Sequence, residues 1–277
     1  MGVRLWFCMC LFALCVPLVS SLSSKVLYSA NNAIMEFDLD TRTVTKLLEP
    51  GSNRVFAMDY DYKHRFIYFP RYDTNDIVRF AYPSSNRTLQ TVVQTDPFPS
   101  GIAVDSTNEH IYWVVPAGTN TLSRCNLDGS NLTLLTTLSV PYVVRLDVTN
   151  RWMYIVKAYI GVMKLRFDIA EQQMLVNITT SAIIHCMDID TDESRVYWFE
   201  GNGELISAKD DGSDIKTIIS TNTGGNNFGL RVSGSYLYYA GNKQLLMVNK
   251  TPVSTPTVLY NDTSRIESIF VFNQSGM

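Results

Sequence analysis

Aspartate recurs at similar positions along this sequence and is the residue type most suited to binding a metal ion. The recurring residues are Asp59, Asp105, Asp147 and Asp188, each in a similar segment, with Asp61 and Asp190 close by. Carboxylate oxygens are hard ligands that suit calcium, so one interpretation is a calcium site at a shared centre. The alternative is a turn or strand-end contact that each segment makes for itself. Repetition favours the second interpretation, because one metal site does not need the same residue in four segments.

The histidines and known catalytic motifs give no further candidate for a metal site or an active site. His64, His110 and His185 lack the convergent spacing of metal ligands and are interpreted as loop or solvated residues. A pH-sensitive release switch is the alternative, since histidine titrates near endosomal pH. The sequence contains no G-x-S-x-G, no glycine-rich phosphate loop and no H-E-x-x-H. It therefore favours binding over catalysis, and no cofactor is expected.

The elements that position these residues repeat along the chain. Each unit contains an apolar residue followed by a tyrosine, and the tyrosines are Tyr28, Tyr68, Tyr112, Tyr154, Tyr197 and Tyr238. Their spacings are 40, 44, 42, 43 and 41 residues. A period of 40–45 residues with strand-like content is typical of a propeller blade.

Each unit is predicted to hold four short strands. In the second unit these are residues 56–60, the tyrosine strand, residues 77–80 and residues 89–93, and in the fifth unit the first strand is residues 185–189. Asp-Gly pairs at 128–129 and 211–212 fall between third and fourth strands, where tight turns favour them. The predicted fold is therefore all-β: a six-bladed β-propeller of four-stranded antiparallel blades.

The two ends of the predicted domain complement each other. The first unit begins directly at its tyrosine strand, residues 25–28, and the chain closes with an apolar strand, residues 266–272. Pairing of these segments would complete one blade and close the ring without an exposed edge. The alternative is an ordinary edge strand, which would leave the first blade one strand short. On this repeat, Cys125 and Cys186 lie two blades apart, too far for a disulfide, and buried thiols are expected.

The N-terminal segment and the glycosylation motifs both indicate export. Arg4 precedes an apolar run of about fifteen residues and then small residues, so residues 1–21 are predicted to be a signal peptide and 22–277 the propeller. This run is too short for a comfortable membrane span. Six N-x-[ST] motifs predict N-glycosylation at Asn86, Asn131, Asn177, Asn249, Asn261 and Asn273. We therefore expect a secreted, extracellular protein without membrane insertion of the mature chain.

Composition narrows the class of partner. The chain is 46% hydrophobic and 18% charged, which is too apolar for disorder. Its formal net charge is −3 and becomes −4 without Arg4. A mildly negative protein is a poor partner for nucleic acid, so none is expected.

Two units resemble one known repeat in detail. Residues 101–105 (GIAVD), 111–113 (IYW) and 122–129 (LSRCNLDG) resemble a low-density lipoprotein receptor class B (YWTD) repeat, and residues 187–190, 196–198 and 206–212 resemble a second. The resemblance covers the mature chain, more weakly outside these units. It implies a six-bladed propeller that binds protein ligands. The cysteine-rich modules and membrane anchor of those receptors have no counterpart here, so endocytic function does not carry over.

The sequence departs from the family pattern at its fourth motif position. The family has aspartate there, and this chain has Arg71, Val115, Lys157, Glu200 and Gly241. By resemblance, that aspartate supports contacts between neighbouring blades, so its loss puts the polar contacts between blades in doubt. Packing of the aromatic layer is then expected to carry more of the stability of the ring.

The resemblance also predicts a binding face. The loops that follow the tyrosine strands are expected to form it, and they carry Arg71, Tyr72, Lys157, Tyr159 and Glu200. Arginine and aromatic residues are common anchors of protein interfaces. The expected function is a secreted module that binds an extracellular protein ligand or receptor, as lipoprotein-receptor-related propellers do. The alternatives are a calcium-dependent propeller hydrolase of the gluconolactonase or paraoxonase type, and an architectural role in extracellular material.

Overall fold

The computed structural model describes residues 24–52, 54–178, 183–221 and 227–272. The predicted signal peptide and Asn273 lie outside these residues. Within them the chain forms 24 β-strands in six four-stranded sheets, each antiparallel. The predicted six-bladed β-propeller is thereby confirmed. Among the described residues, no helix has the length and apolar character needed to span a membrane.

The strands are numbered in chain order, and each blade is given from its innermost to its outermost strand. Blade 1 contains β24 (Ile266–Val271), β1 (Lys25–Ala30), β2 (Ala33–Asp38) and β3 (Val44–Leu48). Blade 2 contains β4 (Asp59–Asp61), β5 (Phe66–Arg71), β6 (Asp76–Ala81) and β7 (Gln90–Gln94). Blade 3 contains β8 (Gly101–Asp105), β9 (His110–Val115), β10 (Thr121–Asn126) and β11 (Thr133–Thr137).

The remaining three blades have the same strand order. Blade 4 contains β12 (Pro141–Asp147), β13 (Trp152–Lys157), β14 (Gly161–Arg166) and β15 (Gln172–Asn177). Blade 5 contains β16 (Met187–Asp190), β17 (Arg195–Phe199), β18 (Glu204–Lys209) and β19 (Lys216–Ser220). Blade 6 contains β20 (Asn227–Ser233), β21 (Tyr236–Gly241), β22 (Gln244–Asn249) and β23 (Thr257–Asn261). The first strand of blade 2 begins three residues later than predicted, and that of blade 5 begins two residues later.

The ends of the described chain close the ring as predicted. β24 pairs antiparallel with β1, and Leu27 lies opposite Phe270. Two pairs further along the strands, the Ser29 and Ser268 hydroxyl oxygens are 2.8 Å apart. The last strand therefore supplies the innermost strand of the first blade.

Hydrophobic packing occurs between blades, since each sheet is covered on both faces by its neighbours. The described residues form six buried clusters, one for each pair of adjacent blades around the ring. In the cluster between blades 2 and 3, for example, Tyr68 packs with Ile111, Trp113 and Cys125. Cys125 and Cys186 are buried thiols, as expected, and burial raises the pKa of both to about 12.

The structure corrects the alignment of the first tyrosine. Tyr68 packs between its own blade and the next one, whereas Tyr28 packs against blade 6, on the preceding side. Leu27 faces blade 2 and takes the place that tyrosine holds in the other blades. A shift of one residue moves a strand side chain to the opposite face of the sheet. Tyr28 thus matches the position after the repeated tyrosine, where blade 3 has Trp113.

The two Asp-Gly turns connect third to fourth strands as predicted and also contact the preceding blade. Gly129 and Gly212 have φ values of +89° and +84°. A Cβ atom on Gly129 would lie 2.0 Å from the carbonyl oxygen of Val92, and one on Gly212 would lie 2.3 Å from that of Leu175. These positions require glycine both for the backbone conformation and for the close approach of the neighbouring blade.

Candidate binding sites at the two faces of the ring

Innermost strands begin on one side of the ring and end on the other. We call the side where they begin the Tyr72 face and the side where they end the Lys63 face. Since the second strand of each blade is antiparallel to the first, the loop after it lies on the Tyr72 face. The predicted binding residues all belong to such strand ends and loops, on blades 2, 4 and 5: Arg71, Tyr72, Lys157, Tyr159 and Glu200.

Arg71 is held by contacts within the chain. Its Nε donates to Asp76 Oδ1 at 2.8 Å, and its Nη2 donates to the other oxygen of the same carboxylate. Its Nη1 donates to the carbonyl oxygen of Pro50 at 3.2 Å. Asp76 is buried, and Arg71 is largely covered. These bonds fix the β5–β6 hairpin and engage all three nitrogens of Arg71.

Tyr72 belongs to a row of rings that crosses the Tyr72 face. It makes an edge contact with Phe56 at 5.1 Å between centroids and a tilted contact with Phe98 at 5.0 Å. The row continues from Phe56 to Tyr142, from Tyr142 to His185, and from His185 to Phe228. We call the six residues the aromatic row: Phe98, Tyr72, Phe56, Tyr142, His185 and Phe228. Phe98 is 43% exposed, so the row reaches solvent at that end.

Sequence reasoning missed most of this row, although an alignable signal exists. On each innermost strand one residue lies opposite the position of the repeated tyrosine, and those residues are Asp59, Ala103, Arg145, Asp188, Arg231 and Phe270. Three residues before them stand Phe56, Ser100, Tyr142, His185, Phe228 and Glu267. Four of these six side chains are rings. All six positions lie where the innermost strands begin, on the Tyr72 face.

Charged side chains flank the aromatic row. The Arg54 guanidinium lies 5.7 Å from the centroid of Tyr72, and that of Arg265 lies 3.7 Å from the centroid of Phe228. Both arginines are exposed. Glu267 is partly buried beside them, and burial raises the pKa of its carboxyl group against the opposing charges of Arg265 and Arg54. Aromatic surface with arginine at its margins is a combination that suits recognition of a protein surface.

His185 contributes a polar atom with no partner. Its Nδ1 is buried and makes no hydrogen bond within the described part of the chain. Burial lowers the pKa of the imidazole, and the charge of Arg265 lowers it further. The ring therefore favours its neutral form between Tyr142 and Phe228.

The other predicted residues lie further from the row. Tyr159 is 59% exposed in the turn after β13. The carbonyl oxygen of Lys157 closes this turn by accepting a hydrogen bond from the N–H of Ile160. Glu200 closes a tight turn with Glu204 and Gly203 through its backbone. The structure thus brings all five residues to one face but joins only Tyr72 to the row.

The recurring aspartates form two sets, not the single one that the sequence alignment proposed. Asp61, Asp105, Asp147 and Asp190 share one register position, at the end of an innermost strand. Each accepts backbone N–H bonds from the turn that follows, as Asp105 does from Asn108 at 2.9 Å. Asp59 and Asp188 stand two residues earlier, opposite the repeated tyrosine. The first set makes the repeated turn contact that the alternative interpretation described.

Asp59 and Asp188 belong to a cluster of charges at the axis, with Arg145 and Arg231. Asp188 Oδ1 accepts hydrogen bonds from Arg145 Nε at 2.8 Å and Arg231 Nη1 at 3.3 Å, and its Oδ2 accepts one from the N–H of Val232 at 2.8 Å. We call these four residues the central cluster.

The central cluster contacts all six blades. Arg231 of blade 6 donates to the carbonyl oxygens of Ile269 in blade 1 and Met58 in blade 2. Asp59 of blade 2 accepts the N–H of Val104 in blade 3 at 2.7 Å. Arg145 of blade 4 bonds Asp188 of blade 5. Polar contacts between blades, which the missing family aspartate placed in doubt, are thus made at the axis.

Asp59 is the member of the cluster whose stability contribution should depend on pH. It has no ion-pair partner within 4 Å among the described residues, and desolvation raises the pKa of its carboxyl group against the charges of Arg231 and Arg145. A raised pKa in the folded state stabilises the fold below the unfolded pKa, near 4, and this stabilisation is lost as pH rises through the folded value.

Asp59→Asn is therefore expected to gain stability relative to the natural protein as pH rises from 4 toward 7. The reason is that the amide does not ionise in the desolvated site, whereas the carboxyl group must. Urea-induced unfolding of both proteins across this pH range measures the difference in free energy. A difference that stays constant with pH would contradict the assignment.

The central cluster bears on the calcium alternative. Guanidinium groups occupy the position near the axis where a channel metal would need oxygen ligands, and they hold Asp188. Among the residues that the structure describes, no group of three or more histidine, cysteine, aspartate or glutamate side chains could hold a metal ion. The donor set at the axis therefore does not favour calcium.

Comparison with known proteins supports the fold. No family model matches the chain. A chain in a crystal structure of a nidogen/laminin complex superposes with a TM-score of 0.79 at 15% sequence identity, over 88% of this chain and 97% of that chain. At this identity the similarity shows the fold, a six-bladed propeller.

Proposed function

We propose that this chain is a secreted, glycosylated and non-catalytic propeller of the class B (YWTD) type, which binds an extracellular protein ligand or receptor through its Tyr72 face. The aromatic row is the observation that carries the proposal. It joins side chains from blades 2, 4, 5 and 6 and the connection into blade 3 on one surface. Aromatic rings of this kind supply large contact area at low entropic cost.

Two further observations support protein binding outside the cell. The chain of similar fold comes from a complex between two proteins, nidogen and laminin. Four of the predicted glycosylation sites have exposed side chains and are accessible to modification: Asn86, Asn131, Asn177 and Asn261. Together with the apolar N-terminal segment, these sites support export.

The test begins with cells that express the full chain. Release of the protein into the medium, with a mass that falls on treatment with a peptide N-glycosidase, is expected if the chain is exported. The secreted protein is then immobilised and used to capture partners from extracellular fluid. The Tyr72→Ala/Phe98→Ala variant is expected to bind the captured partner about 30-fold or more weakly, since interface anchors typically contribute 2 kcal/mol or more.

Tyr236→Ala is the matched control. Tyr236 is 42% exposed, close to the 43% of Phe98, but it begins β21 on the Lys63 face. The Tyr236→Ala variant should capture the same partners as the natural protein. Capture that is unchanged in the double variant, or lost only in Tyr236→Ala, would assign binding to another surface.

A further inference from the structure

A funnel opens on the Lys63 face, opposite the proposed protein-binding surface. It is a cavity of about 770 Å³ around the axis, and the central cluster forms its floor. Arg231 closes the floor by reaching from blade 6 to the carbonyl oxygen of Met58 in blade 2. The volume is within the range of sites that enclose small molecules.

The charges that line the funnel favour an anion. Four cationic side chains, Lys63, Arg65, Arg145 and Arg231, face two carboxylates, Asp59 and Asp188. The Asp188 carboxylate is already bound by both floor arginines and by a backbone N–H. Hydrogen bonds engage two nitrogens of Arg145 and all three of Arg231, yet each guanidinium has five N–H donors and keeps some beyond those bonds.

The rim of the funnel also favours an anion. Lys63 pairs with Glu109, whereas exposed Arg65 makes no ion pair with any residue the structure describes. The hydroxyl groups of Ser106, Thr107 and Thr191 also line the opening and can donate hydrogen bonds. Of the lining residues at the rim, Lys63 and Arg65 are cationic and none is a carboxylate, so an incoming amine or metal ion would meet positive side chains at the entrance.

The walls between rim and floor are apolar. They are formed by Val104, Leu146, Val148, Ile189, Val232 and Phe270. An inorganic anion would leave this surface without contact, whereas an acid with an apolar body would cover it and remove it from water. The arrangement of guanidinium N–H donors at the floor, hydrocarbon in the walls and cations at the rim therefore matches an amphipathic acid.

The geometry points to a second binding site in this funnel, for a small organic monoanion in which a carboxylate is attached to an apolar body. The carboxylate lies against the free N–H groups of Arg145 and Arg231, and the apolar body lies along Leu146, Ile189 and Phe270. The site is independent of the proposed partner surface, because the central cluster separates the two faces.

Isothermal titration calorimetry with three probes of equal length tests this assignment: 4-phenylbutyrate, 4-phenylbutan-1-ol and 4-phenylbutylamine. The acid is expected to bind saturably and about 10-fold or more tighter than the alcohol, since a hydrogen bond to a charged group is worth that factor. The amine is expected to bind more weakly than the alcohol. Equal affinity for all three probes, tighter binding of the amine, or no saturable binding of the acid up to 10 mM would overturn the assignment.

Variants at the rim avoid the floor residues, whose loss could unfold the protein. Lys63→Glu/Arg65→Glu should weaken binding of the acid about 10-fold at low salt. The matched reversal Lys46→Glu/Lys216→Glu, on outermost strands β3 and β19, should change it less than twofold. Thr191→Trp should block all three probes by filling the opening. Equal effects of the two charge reversals, or unchanged binding in Thr191→Trp, would place the probe outside the funnel.

Discussion

Asp188→Ala is expected to lower the free energy of unfolding by about 3–5 kcal/mol, the cost of breaking a buried charge pair by removing one partner. The substitution leaves the guanidinium groups of Arg145 and Arg231 without their shared carboxylate, and the N–H of Val232 without its acceptor. For a domain of this size, the melting temperature should fall by roughly 10 °C. Urea and thermal unfolding measure the two quantities.

Two further variants distinguish the effect of disrupting the central cluster from the general effect of removing a carboxylate. Asp214→Ala removes an exposed partner of Arg195 and Lys216, and it should leave the unfolding midpoint unchanged. The quadruple variant Asp59→Asn/Arg145→Met/Asp188→Leu/Arg231→Met should be more stable than Asp188→Ala, because it leaves no buried charge unpaired in the central cluster. If Asp188→Ala matched Asp214→Ala, the cluster would have no role in holding the blades together.

Phe272→Ala is expected to destabilise the ring closure by about 3–5 kcal/mol, the usual cost of removing a buried phenylalanine ring. Phe272 is 1% exposed and follows β24, the strand that completes blade 1. Its ring stacks on Tyr82 at 5.4 Å and makes edge contacts with Tyr60 and Phe270 at 5.0 Å. The substitution therefore weakens the contact between the closing strand and blade 2.

Limited proteolysis adds a second measurement to the unfolding midpoint. Cleavage near the C-terminal strand should accelerate in Phe272→Ala, since local opening of β24 exposes the strand before the rest of the ring unfolds. Leu132→Ala is the control, because Leu132 is 57% exposed beside β11 and should behave like the natural protein. Unfolding and cleavage that are unchanged in Phe272→Ala would show that closure depends on β24 pairing alone.

The two faces of the ring combine different chemistry on one scaffold. The Tyr72 face presents aromatic rings with exposed arginines at the margins, which suits a protein surface. The Lys63 face presents a deep funnel with cations at its floor and rim, which suits a small acid. Because the central cluster lies between them and contacts every blade, its loss is expected to affect both faces.

Local pattern determined the fold of this protein. The spacing of the tyrosines, the Asp-Gly turns and the complementary ends predicted six four-stranded blades and the pairing of β24 with β1. These features depend on periodicity and turn chemistry, which act over a few residues and are visible in the sequence. The same pattern predicted that Arg71, Tyr72, Lys157, Tyr159 and Glu200 follow second strands and so share one face.

Only the tertiary structure decided which side chains meet at the axis. Residues 43 or more positions apart form the central cluster, and the pairing of Arg231 with Met58 spans 173 positions. The sequence placed Tyr28 with the other tyrosines and aligned Asp59 with Asp105, because both alignments are one or two residues from the true register. A shift of one residue moves a strand side chain to the opposite face, and a shift of two keeps the face but changes the cross-strand partner. Only the paired backbone fixes this register.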